Sequence, residues 1–248
     1  MNVATAAILG AIQGLTEFLP VSSSGHLVLA QSLIPGFSQP GALFDVILHA
    51  GTLLAVVIFF WKKILKLNQK SLLVLAAGSI PAGLVGLAFE SKITLLFSNV
   101  LLVGLALLVT AAMNYLVDKA KVDKEKISLR DSLVIGVAQA IAITPGISRS
   151  GATIFAATTR KIKRQQAAEF SFLLSIPSVG GAVGLEVIKH GFSDSLPMAT
   201  YLAGFVCAFV FGIVSIKMLL DLLVKRDLKI FAAYCAIVGS IALVVGIK

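Results

Sequence analysis

Charge is what this chain has least of. Only 13% of its 248 residues are Asp, Glu, Lys or Arg, against 58% hydrophobic, and the mean hydropathy is +0.98. A soluble domain of this length exposes far more polar surface, which leaves a polytopic helical membrane protein. Cysteine is nearly missing too. Cys207 and Cys235 each sit inside an apolar run, which speaks for buried thiols and against a disulfide or a metal pair. No basic residue precedes the first apolar run, so a cleaved signal peptide is not expected. The net charge of +9 does not make a nucleic-acid binder, because the basic residues lie in loops between apolar segments, where they suit an anionic lipid surface.

Apolar segments fall at about 4–19, 25–34, 44–61, 71–89, 94–117, 131–143, 150–159, 166–188, 197–224 and 229–247. Those at 44–61, 71–89, 94–117, 166–188, 197–224 and 229–247 come near or above the roughly 20 residues that span a bilayer. The other four are short and form two pairs, each joined by a Pro/Gly/Ser break. A helix of ~16 residues rises only about 24 Å, so each pair is expected to be a re-entrant hairpin rather than two crossings. Irregular backbone at membrane depth must face protein or water, so both hairpin tips should line an internal cavity.

The two breaks resemble each other. One reads Gln13-Gly14-Leu15-Thr16-Glu17-Phe18-Leu19-Pro20-Val21-Ser22-Ser23-Ser24-Gly25-His26, the other Gln139-Ala140-Ile141-Ala142-Ile143-Thr144-Pro145-Gly146-Ile147-Ser148-Arg149-Ser150-Gly151-Ala152-Thr153. At a constant offset of 126 residues Gly10 meets Gly136, Gln13 meets Gln139, Ser22 meets Ser148, Ser24 meets Ser150 and Gly25 meets Gly151. The offset continues through Phe44 and Phe170, Leu48 and Leu174, Gly78 and Gly204, Ala82 and Ala208, and Gly86 and Gly212. Each half then holds one hairpin and three crossings, and an odd number of crossings inverts the second half. The expected fold is an all-α integral membrane protein: a single membrane domain over 1–248, with inverted-topology repeats at approximately 1–117 and 127–248, six transmembrane helices and two re-entrant hairpins.

Basic residues give an independent check. The loops 62–70, 118–130, 160–165 and 225–229 hold Lys62, Lys63, Lys66, Lys70, Lys119, Lys121, Lys124, Lys126, Arg130, Arg160, Lys161, Lys163, Arg164, Lys225, Arg226 and Lys229, most of the 21 Lys and Arg; the other side has Lys92, Lys189 and Lys248. Six crossings with both termini outside satisfy the positive-inside rule at every loop. The hairpins then enter from opposite sides, and their tips can meet near the midplane.

Polar groups at such a depth mark a site. Gln13 and Glu17 are four apart and share a helix face, an amide oxygen and a carboxylate that suit a hard divalent cation, Mg²⁺ or Ca²⁺, with water and phosphate completing its shell. Simple interhelical bonding or pairing is the plainer alternative for both. Ser22, Ser23 and Ser24 precede an apolar helix as capping residues do, and that helix start, with Gly25, is also an anion site. His26 lies on its first turn, near enough to activate a serine or donate a proton. In the second break Arg149, the preferred bidentate partner of phosphate, is flanked by Gly146, Ser148, Ser150 and Thr153, the remaining candidates for phosphate contact. Pairing with Glu17 or Glu169 would be a role for Arg149 that needs no substrate. Asp45, His49, Glu169, Ser171 and Ser175 are candidates for a second shell.

Gln-x-x-x-Glu followed by Pro-Val-Ser-Ser-Ser-Gly-His, together with Pro-Gly-Ile-Ser-Arg-Ser-Gly-Ala-Thr, resembles the bacterial undecaprenyl pyrophosphate phosphatases associated with bacitracin resistance. The resemblance runs over essentially the whole chain. It implies a multi-pass plasma (inner) membrane enzyme, opening to the outer side, that removes the terminal phosphate of undecaprenyl diphosphate, needs a divalent cation and recycles the lipid carrier for peptidoglycan synthesis. It also implies that Glu17, Ser23, His26 and Arg149 are the leading catalytic positions. In that family the first motif is Glu/Gln-x-x-x-Glu; here Gln13 takes the variable place, which puts in doubt any mechanism needing two carboxylates there. Serine and water both stand as nucleophile, and a homodimer is left open. The rival reading is a polyprenyl-phosphate flippase or transporter, since inverted repeats with broken helices are also the plan of alternating-access carriers.

Overall fold

The computed structural model describes residues 1–34, 42–89, 95–96, 99–190, 196–225 and 228–246. Lys92, Arg226 and Lys248, used in the topology argument, lie outside the described residues. Apart from one isolated β-bridge between Lys124 and Ile162, the regular structure there is helical. In chain order the helices are α1 (Val3–Phe18), α2 (Ser23–Ser32), α3 (Ala42–Phe59), α4 (Trp61–Ile64), α5 (Gln69–Ala88), α6 (Val100–Lys119), α7 (Leu129–Ile141), α8 (Arg149–Thr159), α9 (Arg164–His190), α10 (Met198–Lys225) and α11 (Lys229–Gly246).

Five stretches among the described residues are long and apolar enough to cross a membrane: Gln69–Ala88, Val100–Lys119, Arg164–Lys189, Met198–Val224 and Lys229–Gly246. The sixth expected crossing, 44–61, is the shorter apolar helix Leu43–Phe59. It stops early because the chain turns at Phe60 into the short α4, which carries Trp61, Lys62 and Lys63. The segment expected from residue 94 has its helix from Val100, where the Asn99 side chain accepts from Leu102 N at 3.0 Å and fixes the start.

Packing follows the glycines. Between helices in lipid no hydrophobic force acts, so close backbone approach and hydrogen bonds must hold them. A Cβ at Gly10 would fall 2.3 Å from Gly204 O, and one at Gly14 2.6 Å from Ala208 O, so α1 lies backbone to backbone on α10. Ser215 Oγ donates to Gly14 O at 2.7 Å across the same seam. The second break's first helix does the same elsewhere: a Cβ at Gly136 would fall 2.4 Å from Gly78 O, joining α7 to α5, and Ser132 Oγ donates to Val74 O at 2.5 Å. The contacts correspond at the offset of 126, Gly10 with Gly204 and Gly136 with Gly78. Leu48 lies against Gly204 as Leu174 lies against Gly78.

The surface is greasy, and polar side chains are buried within an apolar interior that includes Phe18, Phe44 and Phe172. Gln13, Glu17, Thr52, Thr110, Asn114, Ser148, Ser150 and Ser171 are buried, whereas Ile8, Leu72, Leu84, Leu105, Val137, Leu202 and Ile237 are exposed. That is the partition lipid imposes.

At the foot of the second pair, Ser128 and Asp131 form a capping box at the start of α7. Asp131, 1% exposed, also accepts from Arg160 Nε at 2.9 Å at the end of α8, with Lys124 Nζ 3.5 Å away. Burial opposes its ionisation, but the hydrogen bonds from Ser128 and Arg160 and the charge of Lys124 outweigh it and hold the carboxyl down at about 2. A depressed carboxyl contributes stability that is whole above its unfolded value of about 3.9 and is lost as pH falls through the folded one. Asp131→Asn should therefore lower thermal stability in detergent at pH 7 by about 1 kcal/mol, allowing for solvent around the half-exposed Arg160 and Lys124. Melting curves at stepped pH should show wild type and variant converging between about pH 4 and pH 2.

Candidate active site

Each break is a helix end, a turn and a new helix start. After α1 the chain extends through Leu19 and turns at Ser22, whose φ of +70° is left-handed. Ser22 Oγ then caps α2 by accepting from Gly25 N at 3.3 Å. After α7 the turn comes at Gly146, φ +93°, and Ser148 Oγ caps α8 by accepting from Gly151 N at 3.1 Å. Glycine is required at 146 twice over, since a Cβ there would also meet Val103 O at 2.6 Å.

The two breaks touch. A Cβ at Gly25 would stand 3.1 Å from Gly146 Cα, and Ser150 Oγ donates to Leu19 O at 3.1 Å. Helix α6 clamps both. Asn114 Nδ2 donates to Pro20 O at 2.6 Å, while Thr110 Oγ1 donates to Gly146 O at 2.9 Å and accepts from Ser148 N at 3.0 Å.

Glu17 stands at the junction, 8% exposed. Its Oε2 accepts from Ser23 Oγ at 2.6 Å and Gln13 Nε2 at 3.0 Å, and its Oε1 accepts from Arg149 Nη2 at 2.7 Å. Ser23 and Arg149 are the first residues of α2 and α8, so one carboxylate binds the starts of both helices. Arg149 Nη1 donates to Ser171 O at 3.2 Å, and Ser171 Oγ lies 2.7 Å from Thr153 Oγ1, which donates to Arg149 O at 2.8 Å. The guanidinium is thus steered from behind and aimed forward at Glu17.

The family model of the bacitracin resistance protein BacA matches residues 6–241. The chain belongs to the BacA family. Proteins named undecaprenyl-diphosphatase resemble it along their full length. That of Methanosphaera stadtmanae is 38% identical over 276 residues, covering 100% of this chain and 99% of the relative. That of Syntrophotalea carbinolica is 39% identical over 256 residues, 97% of each chain. That of Halothermothrix orenii is 43% identical over 256 residues, 98% of each.

Against this BacA family background, the expected residues divide by exposure. Gln13, Glu17, Ser23 and Arg149 form one hydrogen-bonded cluster. Ser23, Ser24 and Arg149 are half-buried, while Ser22, Gly25, Gly146, Ser148, Ser150 and Thr153 are buried. Ser22 Oγ lies 3.3 Å from Ser24 Oγ, and Ser148 Oγ 3.1 Å from Ser150 Oγ, the same pairing at the offset. His26 is bound elsewhere than Ser23: Nδ1 is 2.8 Å from Ser22 O and Nε2 2.7 Å from Tyr234 Oη, with the two rings stacked at 5.5 Å. A carbonyl only accepts, so Nδ1 carries the proton and, in the neutral ring, Nε2 accepts from Tyr234. Glu169 pairs with Lys63, away from Arg149.

Three contributors escaped sequence reasoning. Thr110 and Asn114 are four apart in an otherwise greasy helix, a same-face polar pair that was a readable signal. Tyr234 gave no signal beyond the polar tip of an aromatic ring. The donor set also bears on a cation. Gln13 is fully buried, and its Oε1 has no hydrogen-bond partner. Its Nε2 faces Glu17, and a half-turn of the amide would bring the orphan acceptor beside the carboxylate, where the two fit a hard cation. Thr110→Val keeps shape but leaves the Gly146 carbonyl and Ser148 amide without their partner. We expect it to cost about 2–4 kcal/mol, read as a lowered melting temperature in detergent, with Thr110→Ser close to wild type.

Proposed function

We propose that this protein hydrolyses undecaprenyl diphosphate to undecaprenyl phosphate and inorganic phosphate, recycling the lipid carrier for peptidoglycan synthesis and conferring bacitracin resistance. The family and the names of its relatives support this reading. The observation that carries it in this chain is the Glu17 carboxylate bound at once to a serine hydroxyl and an arginine on two facing helix starts. A carrier needs no hydroxyl pressed against a carboxylate at 2.6 Å, which favours hydrolysis over transport.

In this proposal Ser23 Oγ attacks the terminal phosphorus as Glu17 Oε2, already its hydrogen-bond acceptor, takes the proton. The anhydride P–O bond breaks and the electron pair leaves with the lipid monophosphate. Arg149 and the free amides at the starts of α2 and α8 neutralise the phosphoryl oxygens. Water then cleaves the phosphoserine, releasing phosphate and returning the proton to Ser23. Direct attack by water activated by Glu17 is the competing route. His26, held on the first turn of α2 by Ser22 and Tyr234, would in its imidazolium form give the Nε2 proton to the leaving phosphate and return to the neutral ring that accepts from Tyr234. Ser22, Ser24, Gly25, Gly146, Ser148, Ser150 and Thr153 shape the phosphate cradle. Gln13 and Glu17 would hold the Mg²⁺ or Ca²⁺ that the diphosphate brings or needs, and the ion offsets phosphate charge when bound.

The membrane setting is part of the same proposal. The chain would be a plasma-membrane protein of six crossings and two re-entrant hairpins, α1–α2 and α7–α8, opening outward with both termini outside. The matched contacts Gly10–Gly204 and Gly136–Gly78 support inverted repeats over about 1–117 and 127–248, each lending its hairpin to the other half. The polyprenyl tail would stay in lipid.

Phosphate release from undecaprenyl diphosphate by purified protein in detergent tests this. We expect Arg149→Ala to lower kcat/KM by about 10²–10³ and Lys63→Ala by less than about threefold. Ser23→Ala should abolish a labelled phosphoenzyme, and full turnover by that variant would remove the serine route. Chelator should stop the reaction and added Mg²⁺ or Ca²⁺ restore it; turnover undiminished in chelator would take the cation out of the scheme.

A further inference from the structure

His49 lies outside both breaks, on α3, yet reaches the same cluster. Its Nδ1 is 3.0 Å from Gln13 Nε2 and 3.8 Å from Glu17 Oε2. Gln13 Nε2 is in turn 3.0 Å from Glu17 Oε2. An amide nitrogen only donates, so Nδ1 faces the cluster as a bare lone pair and the ring proton sits on Nε2. This is the form of histidine that binds metals.

The amide of Gln13 now donates to both neighbours while its Oε1 is buried without a partner. Terminal amide torsions are two-fold, so a half-turn puts Oε1 where Nε2 stands. Nothing is lost on the far side, because the oxygen had no partner there. On the near side three acceptors, Oε1, Glu17 Oε2 and His49 Nδ1, would then face one another, an arrangement that a shared cation compensates at all three while a proton on Nδ1 would serve one. The size is right. A triangle with sides of 3.0, 3.0 and 3.8 Å has its equidistant point about 1.9 Å from each corner. A first-row divalent ion with bonds of about 2.0–2.2 Å fits just above that plane, whereas Ca²⁺ at about 2.3–2.6 Å must stand further out.

We propose that His49 is a metal ligand that completes a three-donor site with Gln13 and Glu17, and that its nitrogen makes the site prefer Mn²⁺ or a similar first-row ion over Ca²⁺. The inference rests on the cation reading above and deepens it. Three protein donors would leave the ion's remaining positions to water and phosphate oxygens. The imidazole also answers what Gln13 lacks, since it supplies a strong donor where the first helix has an amide in place of a carboxylate.

The test uses full-length protein in detergent without substrate, and Mn²⁺ alone as the probe. Pulsed EPR of bound Mn²⁺ should show ¹⁴N coupling that changes to ¹⁵N coupling when the protein's three histidines are ¹⁵N-labelled. The coupling should persist in His26→Ala. His49→Ala should weaken Mn²⁺ binding at least tenfold and change Ca²⁺ binding by less than threefold. Absence of histidine coupling in the wild type would overturn the proposal whether or not the variant folds, as would equal Mn²⁺ affinity in a folded His49→Ala. Phosphate release by the same preparation is scored separately, so loss of the ligand assignment and loss of the hydrolase reading give different results.

Discussion

One carboxylate holds the centre together. A buried Glu17 side chain with no partners would be neutralised or expelled, since burying an unpaired charge in an apolar medium costs several kcal/mol. It is kept by three groups: the hydroxyl of Ser23, the amide of Gln13 and the guanidinium of Arg149. These come from α1, α2 and α8, so the contact that keeps the charge also fixes where three helices stand relative to one another. Arg149 is constrained in return. Its charge would be as costly alone, and the carbonyl of Ser171 and the carboxylate of Glu17 define the only direction its fork takes. Structure and the proposed chemistry share one cause here, because the groups that tolerate each other in this junction are of the kinds that suit a phosphate.

The scaffold reaches this arrangement through small residues. Gly10 and Gly136 let their helices approach Gly204 and Gly78 at backbone distance, and the close seams bring both turns to the same place. There Gly25 and Gly146 meet, and Gly146 also supplies the left-handed turn that no side chain would permit beside Val103. Helix α6 then fixes both turns with two side chains, Asn114 on Pro20 and Thr110 on Gly146 and Ser148. Backbone groups exposed by breaking a helix are thus answered by neighbouring side chains, as the interior of a membrane protein demands.

Much of this was legible in the chain. The short helices, the breaks and the cap residues Ser22 and Ser148 are where Pro, Gly and Ser put them, but the matches at an offset of 126 did not say which helices touch, Gly10 on Gly204 and Gly136 on Gly78. What escaped was partnership. Ser23 stands three residues from His26, so sequence proximity suggested that pair, yet each has its partner on another helix, Ser23 on Glu17 and His26 on Tyr234. Thr110 and Asn114 could be read as a same-face polar pair, but only the fold says which carbonyl each meets. The reach of α3 was overread because the run of apolar residues continues through Phe60 and Trp61 after the helix has turned.

On the proposed reading of the chain as two repeats, unlike residues occupy the matched positions at the site. Ser22 and Ser148 cap their helices alike, and each lies near the hydroxyl two residues on. Between them the next residue differs: Ser23 in one half, Arg149 in the other. The same holds for Glu17 against Ile143, His26 against Ala152, and His49 against Ser175. Two carboxylates facing each other across the junction would repel, and two guanidiniums likewise. A single acid between a hydroxyl and a guanidinium avoids both and separates the roles, one half holding a proton acceptor beside an alcohol and the other a fixed positive charge. Gln13 and Gln139 stay alike in sequence but not in surroundings. Gln13 faces Glu17 and His49, whereas Gln139 meets only the hydroxyl of Ser178 at 3.4 Å. An amide can serve either setting because it both donates and accepts.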